Sequence, residues 1–188
     1  GSLAILLMSD PMANANMSTK SITASNPSAD IVIGQANMTS SLPNHIGFSK
    51  CYSYPRQVSS DGTRLFVVES TNNRVLIYNT IPTTTYAAAD VVVGQADMAS
   101  TSANQGGSTA ANTLYQPYGV YSDGPRLFIA DIGNHRMLIY NTMPTSNNAS
   151  ADIVIGQQDM TSNSANQGGS CAANTLYNPY GIFSYGSK

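Results

Sequence analysis

Charged side chains recur at two tight turns of this 188-residue chain. Each turn begins with an acid and ends with an arginine: Glu69 and Arg74 in the first turn, Asp131 and Arg136 in the second. Opposite charges across a short turn form either an internal charge-assisted pair or a clamp for an anionic ligand. Because the pair recurs at one repeat position, we interpret these four residues as structural.

The side chains next to these pairs are mostly uncharged hydrogen-bonding groups. They lie in the same two turns, in two long loops that share the sequence SANQGG, and just after two prolines. The predicted ligand-binding residues are Asn72, Asn73, Asn104, Gln105, Asn134, His135, Asn166, Gln167, Tyr118 and Tyr180. The two tyrosines could serve packing or stack against a sugar ring. Gly-rich polar loops can bind a ligand or curl over themselves through their own hydrogen bonds, so both interpretations of SANQGG stand.

Metal and catalytic chemistry have little support in the sequence. His45 and His135 occupy unrelated repeat positions, which disfavours a multi-histidine metal site. Asp131 and Asn134 could offer oxygens to Ca²⁺, but their spacing is weak. The sequence shows no nucleophile turn, no Gly-rich phosphate loop and no paired carboxylates beyond the structural acids. We therefore predict no catalytic residues, no metal ligands and no cofactor.

The elements that position these groups come in repeats. Residues 89–122 match residues 151–184 at all but nine of 34 positions, at a spacing of 62 residues. A third, more diverged copy begins at Ala29 with ADIVIGQANM. A fixed period of this length indicates that one supersecondary unit is laid down repeatedly.

Each repeat contains four short apolar runs separated by turn signals such as DG and TNN. In the best-defined repeat the runs span residues 56–59, 65–69, 75–78 and 91–94. Their length and their content of Val, Ile, Tyr and Phe are typical of β-strands. The middle runs are apolar at consecutive positions, which indicates sheets buried on both faces. We therefore expect an all-β fold, a β-propeller of four-stranded antiparallel blades, in preference to a sandwich or a solenoid.

The sequence around the charged turns resembles a known repeat family. Residues 69–78, ESTNNRVLIY, and residues 131–140, DIGNHRMLIY, each follow a strand that starts with proline, a DG turn and RLF. This pattern resembles the NHL repeat, with Asn134 and His135 in the place of its first two signature letters. The long ADIVIGQ repeat is similar to NHL proteins of bacterial surfaces and secretions, which implies an extracellular or cell-surface location.

The repeats define the expected domain organisation. Complete blades are predicted at 55–98 and 117–160, with partial-blade strands at 29–38 and 179–185 and a possible strand of a shared blade in the N-terminal segment 1–28. The chain thus supplies about three blades, whereas propellers close with about four to eight. An open arc would expose an apolar blade face to water. We therefore expect a homo-oligomer, most simply a homodimer that forms a six-bladed ring.

Composition narrows the range of partners. Charged residues make up 10% of the chain and the net charge is −2, which disfavours nucleic acid and polybasic membrane contacts. The apolar run at 3–8 is too short to cross a bilayer, so we expect no membrane span. Cys51 and Cys171 do not fall at equivalent repeat positions, which predicts two isolated thiols.

These features predict a noncatalytic module that presents a polar surface to a protein or carbohydrate partner. In a propeller, two kinds of loop emerge on one face: the turns at 70–74 and 132–136, and the long loops at 99–116 and 161–178. We call this surface the loop face. The alternative function is a metal-assisted lyase or hydrolase whose site forms only at the channel of a closed ring. The resemblance implies this alternative, because some NHL-like propellers are such enzymes.

Overall fold

Two four-stranded antiparallel sheets dominate the computed structural model, which describes residues 28–41 and 53–183. The first sheet comprises β1 (Pro55–Ser60), β2 (Leu65–Glu69), β3 (Arg74–Tyr78) and β4 (Val91–Val93). The second sheet comprises β5 (Pro117–Ser122), β6 (Leu127–Asp131), β7 (Arg136–Tyr140) and β8 (Ile153–Ile155). Short 3₁₀ segments lie at Ala103–Gly106, Ile132–Asn134 and Ala165–Gly168. The all-β prediction is confirmed, and the strands coincide closely with the apolar runs of the sequence.

The strands of each sheet follow one another in chain order, and each pairs antiparallel with its neighbour in sequence. The register is the same in both sheets. Leu76 stands between Val67 and Val92 in the first sheet, as Leu138 stands between Ile129 and Val154 in the second. Side chains alternate between the two faces of a sheet, so this shared register places equivalent residues on the same face in both sheets.

The main hydrophobic core lies between the two sheets. It is formed by Phe66, Val68, Val75, Ile77, Val91 and Val93 from the first sheet and by Val120, Leu127, Ile129, Leu138 and Tyr140 from the second. Leu114, from the long loop that precedes β5, is also fully buried there. Gly94 makes room for it, because a Cβ at that position would lie 2.5 Å from the Leu114 side chain. The φ of Gly94, 91°, is a second reason for glycine at this position.

The opposite face of the first sheet is buried as well. Leu65, Val67, Leu76, Tyr78 and Val92 form a separate cluster there, against which Ile33 packs. The first sheet therefore has two buried faces, which explains why β2 and β3 are apolar at consecutive positions.

The second sheet has one face that is only partly covered. This outer face is formed by Phe128, Met137, Ile139, Ile153 and Ile155. Ile153 and Ile155 are 43% and 44% exposed, whereas Val91 and Val93, their equivalents in the first sheet, are 2% and 0% exposed. The first sheet owes this cover to the second sheet, and no described element covers the second sheet in the same way.

Two expected strands differ from the structure. Neither residues 29–38 nor the described part of 179–185 forms a strand. Instead, the Val32 carbonyl accepts one hydrogen bond from the Tyr86 N–H at 2.9 Å. A strand requires a ladder of such bonds, and none of the described residues offers this segment one. Residues 1–27, with the apolar run at 3–8, lie outside the described residues, as do His45, Cys51 and positions 184–185.

Cys171 is a free, exposed thiol. No helix within residues 28–41 and 53–183 combines the length and hydrophobicity needed to span a membrane.

Replacing Leu138 by Ala should lower the free energy of unfolding by about 2–5 kcal/mol, because it leaves a cavity at the centre of the core between the sheets. Urea denaturation followed by circular dichroism measures this change. The matched control is Ile81→Ala, at a residue that is 40% exposed, where we expect a loss of roughly 1 kcal/mol or less. Equal losses for the two variants would contradict the assignment of this core.

Candidate functional site

The two long loops have the same backbone conformation at equivalent residues and contact each other. Asn104 has φ and ψ of 47° and 36°, and its equivalent Asn166 has 50° and 33°. The loops contact each other through the Asn163 side-chain amide, which donates to the Thr109 hydroxyl at 2.8 Å. The first loop also contacts the turn of the second sheet, because the Gly133 N–H donates to the Tyr115 carbonyl at 2.9 Å. Loops and turn thus form one continuous polar surface.

A buried ion pair stands at the base of each turn. In the first sheet Arg74 Nε lies 2.5 Å from Glu69 Oε2, and in the second Arg136 Nε lies 2.8 Å from Asp131 Oδ2. All four side chains are fully buried. These are the acid–arginine pairs that the sequence predicts as structural.

Each buried arginine also holds the long loops in place. Arg136 donates to the carbonyls of Ala110 and Thr113 in the loop before β5, both at 2.9 Å, and to Met160 at 2.5 Å after β8. Arg74 donates in the same way to the Met98 carbonyl. Because a guanidinium carries five N–H donors, one side chain can satisfy a carboxylate and several carbonyls at once.

Burial dominates the electrostatics of the paired acids. Desolvation raises the pKa of Asp131, although Arg136 and the N–H groups of Asn134 and Tyr115 favour the charged form. Desolvation likewise raises the pKa of Glu69 against the opposing effect of Arg74. A carboxylate in such a site depends on its arginine, because removing the partner leaves an uncompensated buried charge.

Several residues predicted to bind ligand make internal hydrogen bonds. Asn72 donates to Glu69 Oε1 at 3.1 Å, and Asn134 donates to Asp131 Oδ2 at 2.7 Å. The side chains of Asn104 and Asn134 also bond to each other in both directions, at 3.1 and 2.9 Å. These amides therefore extend the hydrogen-bonded ionic centre.

The SANQGG segments make hydrogen bonds within their own loops, and in the first loop Gln105 also donates to Asn148 Oδ1 at 2.8 Å. Gln105 donates to the Asn112 carbonyl at 2.9 Å, and its equivalent Gln167 donates to the Asn174 carbonyl at 2.9 Å. Asn166 accepts a hydrogen bond from the Thr175 hydroxyl at 3.4 Å. Of the two interpretations that the sequence left open, this geometry favours self-bonded loops.

Asn73 and His135 occupy the same repeat position and make equivalent hydrogen bonds. Asn73 Oδ1 accepts from the Gln116 N–H at 2.8 Å, and His135 Nδ1 accepts from the Asn178 N–H at 3.3 Å. Gln116 and Asn178 are the residues that precede the proline of the following segment. Both side chains therefore fasten the end of a long loop to the preceding sheet.

The start of each long loop carries a cap that sequence reasoning missed. Asn37, Asp97 and Asp159 each accept hydrogen bonds from the residues two and three positions later, and the shared Asx-turn pattern was visible in the repeats. Hydrogen bonds from Thr161 and Ser162 lower the pKa of Asp159 to about 2. Those from Ser100 and Ala99 lower the pKa of Asp97.

An open cleft lies where β1 and β5 meet the segment that carries Tyr180. Arg56, Tyr118 and Tyr180 occupy the same repeat position, each one residue after a proline and 62 residues from the next. We call these three residues the inner-strand row. The Arg56 guanidinium carbon lies 5.4 Å from the centre of the Tyr118 ring, and the Tyr180 ring meets Tyr118 edge-on at 4.8 Å.

The inner-strand row lines a cleft of about 290 Å³ together with Ser70, Thr71 and Gln116. Gly119 allows the row to form, because a Cβ there would lie 2.6 Å from the Tyr180 carbonyl oxygen. Of the residues predicted to bind ligand, Tyr118, Tyr180 and Asn73 line this cleft. Arg56 was missed, although its spacing from Tyr118 equals the repeat period.

The cleft combines a cation, aromatic rings and small hydrogen-bonding groups, a composition suited to binding. No group of three or more His, Cys, Asp or Glu side chains within the described ranges is placed to hold a metal ion. No protein-family model matches the chain, and a search of curated proteins found no match. Function must therefore be argued from the geometry of this site.

Replacing Arg136 by Ala should lower the free energy of unfolding by about 3–5 kcal/mol, because Asp131 is then buried without its partner. Thermal and urea denaturation measure this loss. The control is Arg126→Ala, whose arginine side chain is 48% exposed beside Asp123. There we expect about 0–1 kcal/mol. Full stability of Arg136→Ala would contradict a structural role for this arginine.

Proposed function

We propose that this protein is a noncatalytic binding module of the NHL β-propeller type, and that its loop face binds a protein or carbohydrate partner. The observation that carries the proposal is the inner-strand row. Three equivalent residues from successive repeats converge on one solvent-open cleft, 5.4 and 4.8 Å apart. When residues at the same position of successive repeats lie side by side, several repeats together form one binding surface.

The arrangement of the sheets supports the propeller. Successive sheets repeat after 62 residues, have the same strand order and pack face to face. Their first strands adjoin, since the β5 residue Val120 donates its N–H to the Gln57 side chain of β1 at 2.7 Å. In a propeller the first strand of each blade lies nearest the axis, which is where the inner-strand row would then stand.

The partly covered outer face of the second sheet supports ring closure by a second copy. Ile153 and Ile155 take the positions at which the first sheet is covered by the second. Phe183, on the segment next to this sheet, is 80% exposed. Each large apolar side chain removed from water contributes about 1.5–3 kcal/mol. We propose a homodimer with a six-bladed ring, and the uncharged polar composition supports an extracellular or cell-surface location.

The proposed function predicts that ligand binding depends on the inner-strand row. Screening the full chain against glycan and peptide arrays should identify a ligand, and Tyr180→Ala should weaken its binding at least about tenfold, because the exposed ring is lost. The control is Tyr54→Ala, at an exposed tyrosine in a different repeat position. Binding that Tyr180→Ala leaves unchanged would place the site elsewhere. Consumption of the ligand during the assay would contradict a noncatalytic function and favour the lyase or hydrolase.

The dimer predicts a specific dependence on the outer face. Sedimentation equilibrium of the wild-type chain should give twice the chain mass, and Ile155→Asp should give a folded monomer, because a buried charge would oppose the contact. Ile81→Asp changes an isoleucine of similar exposure that lies in the loop after β3, and this variant should remain dimeric. A monomeric wild-type chain would contradict closure by a second copy, whereas a dimer that Ile155→Asp leaves intact would contradict this face as the contact.

A further inference from the structure

We infer that the cleft at the inner-strand row binds an acidic saccharide, with Arg56 on the carboxylate of a uronic acid and Tyr180 on its ring. The inference deepens the proposed function, on which it rests, because it names the ligand class of the same site. Three features of the cleft carry it: an arginine that has no carboxylate partner among the described residues, an exposed aromatic ring, and a lining of small polar groups.

Arg56 differs from every other arginine of the described residues. Four arginines lie within 2.8 Å of a carboxylate, in the pairs Arg64–Asp61, Arg74–Glu69, Arg126–Asp123 and Arg136–Asp131. Within residues 28–41 and 53–183, Arg56 has no carboxylate at ion-pair distance, and its guanidinium lies against the Tyr118 ring. A guanidinium that stacks on an aromatic ring keeps its N–H groups directed outward, where they match a carboxylate bidentately.

Tyr118 and Tyr180 differ in how much of each ring is available to a ligand. Tyr118 has Arg56 over its ring and meets the Tyr180 ring in a T-shaped arrangement. Tyr180 itself is 57% exposed. The face of an aromatic ring is electron-rich, so it attracts the weakly positive C–H groups that one side of a pyranose ring presents. Tyr180 therefore offers a stacking surface next to the Arg56 charge.

The remaining lining suits hydroxyl groups. The side chains of Ser70, Thr71 and Gln116 border the cleft and make no hydrogen bond within the part of the chain that the structure describes. They supply both donors and acceptors, which a polyol needs. The volume of about 290 Å³ is near the lower end of ligand pockets, at about 300 Å³, and is sufficient for one sugar ring.

An acidic peptide is the other ligand that Arg56 could attract, but the lining favours a saccharide. Acidic peptides are recognised by clusters of arginines, whereas among the described residues Arg56 is the single arginine that lines this cleft. Among the residues that the structure describes, Ile132 is the one aliphatic residue that lines this cleft. Neutral hydroxyls and amides beside an aromatic ring are better matched to a sugar.

The test compares an oligogalacturonate with its fully methyl-esterified form, in which each carboxylate is replaced by a neutral methyl ester on the same sugar chain. Isothermal titration calorimetry with the full chain should show that the acid form binds at least about tenfold tighter. The neutral ester lacks the carboxylate that accepts two charge-assisted hydrogen bonds from the guanidinium. Arg56→Gln should abolish this difference. Arg56→Lys should retain part of it, because lysine keeps the charge and loses the planar fork. Tyr180→Ala should weaken both ligands, and Arg126→Gln, remote from the cleft, should change neither.

Four outcomes would overturn the inference. Equal affinity for acid and ester would show that charge is not read, and an acid preference that survives Arg56→Gln would place the anion site elsewhere. A poly-glutamate peptide that binds as tightly as the oligogalacturonate, with the same loss in Arg56→Gln, would assign the cleft to acidic peptides. A protein or neutral glycan that binds through Tyr180 would overturn the inference and leave the proposed function intact. Circular dichroism melting of each variant separates lost binding from lost folding.

Discussion

The structure depends on a carboxylate and a guanidinium buried together at the base of each turn. Neither charge can be removed from water unless its hydrogen-bonding capacity is filled, and the pair alone does not fill it. Arg136 therefore reaches the carbonyls of Ala110, Thr113 and Met160 as well as Asp131. This requirement brings the end of one strand, the turn and a long loop to a single point. The polar loops are held in place because their carbonyls accept hydrogen bonds from the buried arginines.

This organisation determines which groups remain for a ligand. The amides of Asn72, Asn104 and Asn134 surround the ionic centres and bond internally. Asn73 and His135 hold the ends of the long loops. Polar side chains therefore stabilise most of the loop face, and the groups left for the ligand that we propose lie at the cleft beside β1 and β5.

The two sheets have the same internal pattern but different surroundings. Equivalent residues are buried in the first sheet and partly exposed in the second, as Val93 and Ile155 illustrate. In an array of repeats each unit is stabilised by its neighbours, so a unit with one neighbour keeps an apolar face that suits another unit. This asymmetry links the local repeat to our proposal of a closed ring.

The sequence by itself determined the strands, their order along the chain and the acid–arginine pairs. These features are local: apolar runs, turn signals and a fixed period act over a few residues or one repeat. Only the tertiary structure decided that Asn104 bonds to Asn134 and that Arg56 stands beside Tyr118, because each contact joins segments 30 or more residues apart. It also decided that residues 29–38 form no strand, since a strand needs a partner that a local pattern cannot supply. Which donor meets which acceptor depends on how distant segments approach one another, and one chain's periodicity does not contain that information.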